Sequence, residues 1–301
     1  MIRFNPAHIV FCLLPVVSCG RNEGSMPFSE VNFVISVPQG VAPASMRMLL
    51  FDPGSGSFAG DVNLNGRTEE NFFKAVAELR NGTYDAICYN PDMPDTFVSA
   101  GKDKSGMNFY TESVSSDILA RCGYIEGQSL HHTPDAVYGA VLAGVSPGSH
   151  QSGSTASADC LVETWNIVVN GDGLQYAQAA GAVISGFPVT LHPFNSPVDV
   201  SGDLWTKLSI SGDSVTGTFN VFKGSTDSGH SIVFNILDNN GKPYLFPLDC
   251  TETISEARRN GTMTISPEAS IVIPKPETTG TEGGFLPELG EWNHQTGEFI
   301  I

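Results

Sequence analysis

Residues 72–90, FFKAVAELRNGTYDAICYN, decide how the rest of the chain is read. At a period near 3.6, Phe72, Phe73, Val76 and Leu79 form a helical face; at a period of two, Phe73, Ala75, Ala77 and Leu79 form one face of a strand. The second half of the stretch tips the choice. Tyr84, Ala86 and Cys88 alternate with Asp85, Ile87 and Tyr89, and Asn81-Gly82 is the dipeptide that best tolerates positive φ at both centre positions of a tight turn. The stretch is therefore expected to be two strands joined as a hairpin.

The same alternation extends outward. Val31, Phe33, Ile35 and Val37 mark a half-buried strand, and Met46–Phe51 (MRMLLF) a second that stops at Asp52-Pro53-Gly54. Residues 135–145 form another strand-like run. Beyond residue 160, Val162, Thr164, Asn166 and Val168 oppose Leu161, Trp165, Ile167 and Val169. Further strands follow at 177–187, 205–210, 215–222, 231–237, 243–248, 263–266 and 270–273, with turns at Asn170–Gly173 and Asp238–Gly241. Long helical periodicities are nearly absent, and nothing repeats at a fixed period. The expected fold is all-β, built as β-sandwiches.

Residues 146–159 (SPGSHQSGSTASAD) lack large apolar side chains and lie near the midpoint, so they are read as the boundary between an N-terminal domain at 28–150 and a C-terminal domain at 160–301. Ahead of them, Ile9–Val17 is an apolar stretch far short of the roughly 18–20 residues that span a bilayer. Arg3 precedes it, and Val16-Val17-Ser18-Cys19 closes it. That tetrapeptide resembles the lipobox of bacterial lipoproteins, with Val at a first position more often Leu. The expectation is a signal peptide at 1–18, lipid on Cys19, and a flexible spacer at 19–27; a plain secretory signal with an incidental cysteine is the alternative.

The chain carries a formal net charge of −17. Such a surface repels phosphate backbones, which makes nucleic acid a poor partner and leaves the lipid on Cys19 as the expected membrane contact. Four cysteines lie beyond Cys19. If each domain pairs its own, the disulfides are Cys88–Cys122 and Cys160–Cys250; four free thiols are the other outcome. Their spacing fits no zinc or redox motif.

Five fragments occur in a telling order: MRMLLFDP (46–53), ELRNGTYDAICYNPD (78–92), PDAVYGA (134–140), PLDCTETI (247–254) and IVIPKPETTGTEGGFLPELGEWN (271–293). Together with the lipid signal, they resemble the fimbrillin-related lipoproteins of Bacteroidota, the group that includes the FimB-type anchors of minor fimbriae. The resemblance implies two tandem transthyretin-like or immunoglobulin-like β-sandwich domains, fimbrillin-like protein subunits as partners, and a lipid-anchored role at the cell outer membrane in fimbria anchoring or adhesion. It also implies strand exchange as the mode of assembly, with the tail from Pro274 as a strand that either packs on its own domain or adds to a neighbour's sheet edge. Asp249-Cys250-Thr251 departs from the Asp-Val-Thr of the family pattern. The residues after Cys19 lack the acidic run that favours surface export in this phylum, so the side of the membrane stays open.

A search for chemistry returns little. His131-His132 with Asp135 has metal-ligand residue types, but neighbouring residues of a strand point to opposite faces. His150, His192, His230 and His294 pair with no nucleophile in sequence. Glu288 and Glu291 beside Trp292 have the look of a glycosidase carboxylate pair, yet they sit in a Gly/Pro-rich tail with no scaffold to fix their separation. No nucleophile elbow or phosphate-cradling loop occurs. Asp213-Ser214-Val215 resembles the O-glycosylation sequon of exported Bacteroidota proteins. The expectation is a protein that is not an enzyme and holds no metal or cofactor. The alternative function is a surface glycan-binding lipoprotein of a nutrient-uptake system, which needs a solvent-facing aromatic platform from residues such as Trp165, Trp205 or Trp292.

Overall fold

The computed structural model describes residues 28–276 apart from 42, 65, 70, 100, 116–128, 148–152, 195–199, 225–228 and 268–269, with the backbone alone at 66–69. The first half carries β1 (Phe28–Ser36), β2 (Met46–Phe51), β3 (Phe58–Leu64), β4 (Gly66–Glu69), β5 (Phe72–Arg80), β6 (Tyr84–Tyr89), β7 (Thr96–Ser99), β8 (Asn108–Thr111), β9 (Leu130–His132), β10 (Tyr138–Val145), β11 (Gly153–Ser157) and β12 (Asp159–Cys160). The second carries β13 (Val162–Asp172), β14 (Ala177–Pro188), β15 (Thr190–Leu191), β16 (Ser201–Ser211), β17 (Ser214–Phe222), β18 (Ser231–Asp238), β19 (Pro243–Asp249), the helix α1 (Thr251–Asn260), β20 (Thr264–Ile265) and β21 (Ile271–Val272). The fold is all-β sandwich.

In the first half, one sheet runs β11-β1-β5-β4 and the facing sheet β12-β10-β6-β2-β3. The edge strands are shared: β3 leads within two residues into β4, and β11 leads through Ala158 into β12. Each of these segments turns a corner from one sheet to the other. The buried Ala158 marks one corner, where its N–H donates to the Ser36 carbonyl at 2.7 Å. The sandwich is thereby closed on both sides, as a barrel is. Inside lie Val31, Phe33, Ile35, Met46, Met48, Leu50, Phe73 and Cys88.

Two expectations are corrected here. β5 and β6 are strands, with Phe73 buried, Ala75, Ala77 and Leu79 half-buried, and Val76 outside. They do not form a hairpin. β5 pairs with β1 and β4, whereas β6 pairs with β2 and β10, so Asn81-Gly82 carries the chain between sheets and neither residue takes positive φ. Phe73 of β5 and Ala86 and Cys88 of β6 meet instead across the first core, from opposite sheets. The stretch 146–159, read as a boundary, contains β11 and the start of β12, which pair with β1 and β10. Of that stretch, residues 153–157 and 159 are paired strand, and Ala158 is the corner between them.

β2 and β6 are buried on both faces, which is why their sequences read as apolar runs. Leu49, Phe51, Ile87 and Tyr89 face away from the first core, into a junction cluster with Phe109, Val137, Val162 and Phe222. The halves also exchange strands: β9 adds parallel to β16 of the second half, and β15 of the second half adds to β8, which pairs with β7.

The second half is a sandwich in which β19-β18-β14-β16 faces β17-β13, folded at the β16–β17 turn where Gly212 has a φ of 59°. Trp165, Ile167 and Val169 of β13 point inward against Phe187, Leu204, Phe219 and Phe234, as the sequence alternation requires. Gly181 of β14 lies under the Trp205 ring; a Cβ there would sit 2.0 Å from it. After β19, α1 buries Ile254 and Ala257 and ends at Gly261, whose φ is 67°. β20 and β21 then run parallel to β13, with Ile265, Ile271 and Ile273 buried in the second core.

This closing segment sets the limit for truncation. A chain ending after Pro276 is expected to keep its melting temperature, whereas one ending after Pro267 loses Ile271 and Ile273, each worth about 2–5 kcal/mol as a buried isoleucine, and melts far lower by circular dichroism.

Candidate functional site

The residues singled out for chemistry do not converge. Cys19, Cys122, His150, Glu288, Glu291, Trp292 and His294 lie outside the described residues, as does the tail from residue 277. His131 and His132 occupy β9; the His131 ring engages the Thr111 carbonyl at 3.0 Å and the Ser129 hydroxyl at 2.7 Å. Asp135 instead accepts the Asp95 N–H at 2.7 Å. No three His, Cys, Asp or Glu side chains gather into a metal-binding group among the described residues. His192 follows β15. Ser214 opens β17 after the turn, its hydroxyl donating to the Ser211 carbonyl at 3.1 Å.

The expected Cys160–Cys250 disulfide is not formed. Cys160 sits half-buried against the junction cluster, its thiol turned to the Val162 carbonyl at 3.3 Å, while Cys250 is buried in the second core at the start of α1. Cys88 is a free thiol inside the first core. Burial pushes the Cys88 thiol up to about 12 and the Cys250 thiol to about 11, so neither supplies a thiolate at neutral pH. Trp165 and Trp205 are buried and offer no solvent-facing platform. No helix of the described residues is long and apolar enough to cross a membrane.

One cluster was not visible in the sequence. Arg258 of α1 places its guanidinium 5.7 Å from the Trp165 ring centre and 5.6 Å from that of Phe187, and pairs with Glu163 at 3.2 Å. Glu163 also accepts the Trp165 indole N–H at 3.2 Å. His230, buried, stacks on Phe187 with centroids 4.5 Å apart, and its Nδ1 has no hydrogen-bond partner. Burial and the Arg258 charge hold the His230 pKa below its ordinary value, against a hydrogen bond to the Ser185 backbone. An open cavity of about 340 Å³ adjoins it, lined by His230, Val233, Pro247, Asp249 and Thr251. Residues 163, 165, 187, 230 and 258 are too far apart in sequence for any spacing rule to group them.

The sheet edges are the remaining candidate surfaces. The Cys250 N–H donates to His230 and the Asp238 N–H to Lys242, so the even-numbered residues of β19 hydrogen-bond to β18. Pro243, Leu245, Pro247 and Asp249 therefore turn their backbones outward, and the two prolines bring no N–H. This edge is blunted. On the opposite sheet, the β13 edge is covered by β20 and β21.

No protein-family model matches the chain, and no curated protein does. Among solved structures, a "putative adhesin" of Bacteroides ovatus superposes with a TM-score of 0.65 at 18% identity, over 86% of this chain and 96% of that one. The chain shares its fold. A second such protein from Bacteroides ovatus gives 0.52 at 12% identity, covering 77% of this chain and 81% of its own. A structure from Bacteroides thetaiotaomicron described as one of the "putative polysaccharide binding proteins" gives 0.51 at 10%, covering 80% and 90%.

Two outcomes follow. Replacing Pro243 and Pro247 by Thr restores outward donors, and is expected to raise self-association in light scattering while the monomer fold persists. For His230, the folded chain takes up its proton at lower pH than the unfolded chain, whose value is 6.5. The stability this contributes is whole above that pH and falls as pH drops through the folded value. Urea unfolding of His230→Phe is expected to lose this component of the fall, which sets in as pH drops below the ordinary histidine value of about 6.5.

Proposed function

We propose that this chain is a lipid-anchored structural protein of the cell envelope, an anchor or accessory component of a fimbria-like assembly involved in adhesion. The observation that carries this reading is the agreement between the ordered sequence fragments, from Met46 to Asn293, and a tandem-sandwich fold shared over 86% of the chain with a candidate adhesin of Bacteroides ovatus. Val16-Val17-Ser18-Cys19 supports the lipid anchor. Its partners are fimbrillin-like subunits, engaged through loops. The protein works by holding, not by turning over a substrate.

A second reading, glycan binding, draws on one aromatic pair. Phe97 of β7 and Tyr110 of β8 face each other across the strands with centroids 5.8 Å apart and planes at 34°, and both are half-buried. Such a pair is small for a sugar platform, and the anchoring reading explains more of the chain.

Reversible crosslinking in cells followed by capture of this chain separates the two. Recovery of fimbrillin-like subunits, with acyl chains on Cys19 by mass spectrometry, is the expected result. Recovery of an outer-membrane transporter instead of such subunits would overturn it in favour of the second reading, and an unacylated N-terminus would overturn the lipid anchor.

A further inference from the structure

We propose that each half of this molecule is closed by a parallel strand pair that bears tension in shear, making the chain a graded mechanical tether. The direction of load rests on the anchoring reading: pull enters ahead of Phe28 and leaves beyond Ile273. The strand arrangement itself does not depend on that reading.

In the first half, the strand that receives the load is β1, and the strand that passes it on is β11, through β12 into β13. They lie side by side and parallel, with five register pairs from Asn32↔Gly153 to Ser36↔Ser157. Tension draws β1 back along its own axis and β11 forward along its axis. Every rung of the ladder is then strained at once. Had the load entered at one end of an antiparallel pair, the rungs would open singly, about 3.3 Å of strand at a time. Side chains reinforce the pair. Val31, Phe33 and Ile35 of β1 are buried, so a slip of one residue would turn all three from the core to the outside. β5 holds the other flank of β1 over nine register pairs.

The second half repeats the device at smaller scale. Its first strand, β13, takes the load at Val162, and its closing strands, β20 and β21, run parallel to it. Each contributes two register pairs, Asn166↔Thr264 and Ile167↔Ile265, then Gly171↔Ile271 and Asp172↔Val272. The Ile273 N–H adds a bond to the Asp172 carbonyl at 2.9 Å. Gly171 and Gly173 make room for this segment: a Cβ would fall 2.9 Å from the Ile271 carbonyl at the first and 1.9 Å from the Ile273 carbonyl at the second. These rungs fall in two separate short runs, at 166–167 and 171–172, that tension meets in turn, whereas the five of the first half are contiguous and are loaded together. The second half therefore yields first and the half nearest the anchor last, so an overloaded tether lengthens before it lets go.

Forced unfolding is governed by the barrier along the pulling direction, not by the equilibrium stability. Single-molecule force spectroscopy on the full chain tests this in two geometries. With handles at the two ends, two events are expected, the weaker first. Unfolding of residues 162–273 sets its size, about 380 Å of chain at roughly 3.4 Å per residue. With one handle at the N-terminus and the other inserted at Asn81-Gly82, the load meets one end of the β1–β5 ladder, because Phe28 pairs with Arg80. That ladder is expected to unzip at a force several-fold below the stronger end-to-end event. Equal forces in the two geometries, or the first half opening before the second, would overturn the proposal. Neither geometry replaces a core residue, and neither needs a partner. A failure here is thus distinct from a failure to recover fimbrillin-like subunits from cells.

Discussion

A β-sheet ends in strands whose outward N–H and C=O groups have no partner, and the covering of those groups organises this molecule. In the first half the problem is met by sharing strands between sheets, so that β3 with β4 and β11 with β12 each serve two edges. In the second half one edge is carried by prolines and the other is covered by β20 and β21. Where β16 and β17 diverge, the Thr206 hydroxyl donates to the Thr218 carbonyl at 3.3 Å, and the Asn220 amide reaches the Pro134 carbonyl at 3.0 Å. Between the halves, β9 and β15 cross over for the same purpose.

Closing edges in this way has a consequence for the cores. The sheet containing β2 and β6 is sealed on its inner face by the first core and on its outer face by the junction cluster. The two halves therefore meet through packed apolar side chains and paired backbone, and not through a hinge. An interface of that kind transmits force without a compliant element in the path, which suits a protein that holds a load more than one that must open around a ligand.

The sequence made much of this legible where one face of a strand is wet. Trp165, Ile167 and Val169 declare the buried face of β13, and Asp238–Gly241 declares the turn between β18 and β19, with Gly241 at a φ of 78° and the Asp238 carboxylate accepting the Asn240 and Lys242 N–H groups. It was illegible where pairing is decided at long range. Asn81-Gly82 has the composition of a hairpin turn, yet the partners of β5 and β6 are fixed by Phe33, Phe73 and Met48, residues distant in sequence that meet in one core. The same limit hid the corner at Ala158, because a Ser/Gly-rich stretch that turns between sheets looks like a linker until β1 is known to lie beside it. The cysteines show it too: Cys160 and Cys250 belong to one half by sequence but to two clusters in space.

The helix α1 had no periodicity long enough to announce itself. Ten residues with two buried positions, Ile254 and Ala257, are fewer than an isolated helix needs for stability in water. It forms because it docks, and Arg258 is the docking residue: its guanidinium lies against Trp165 and Phe187 while Glu163 fixes its charge. This placement does more than fill a gap. β19 ends on one sheet of the second half, and β20 begins beside β13 on the other, so α1 is the piece that carries the chain across the open side of the sandwich. Only after that crossing can Ile265, Ile271 and Ile273 reach the core from the β13 edge. The docking of one short helix, through Ile254, Ala257 and Arg258, thus sets where the chain crosses to close the last edge.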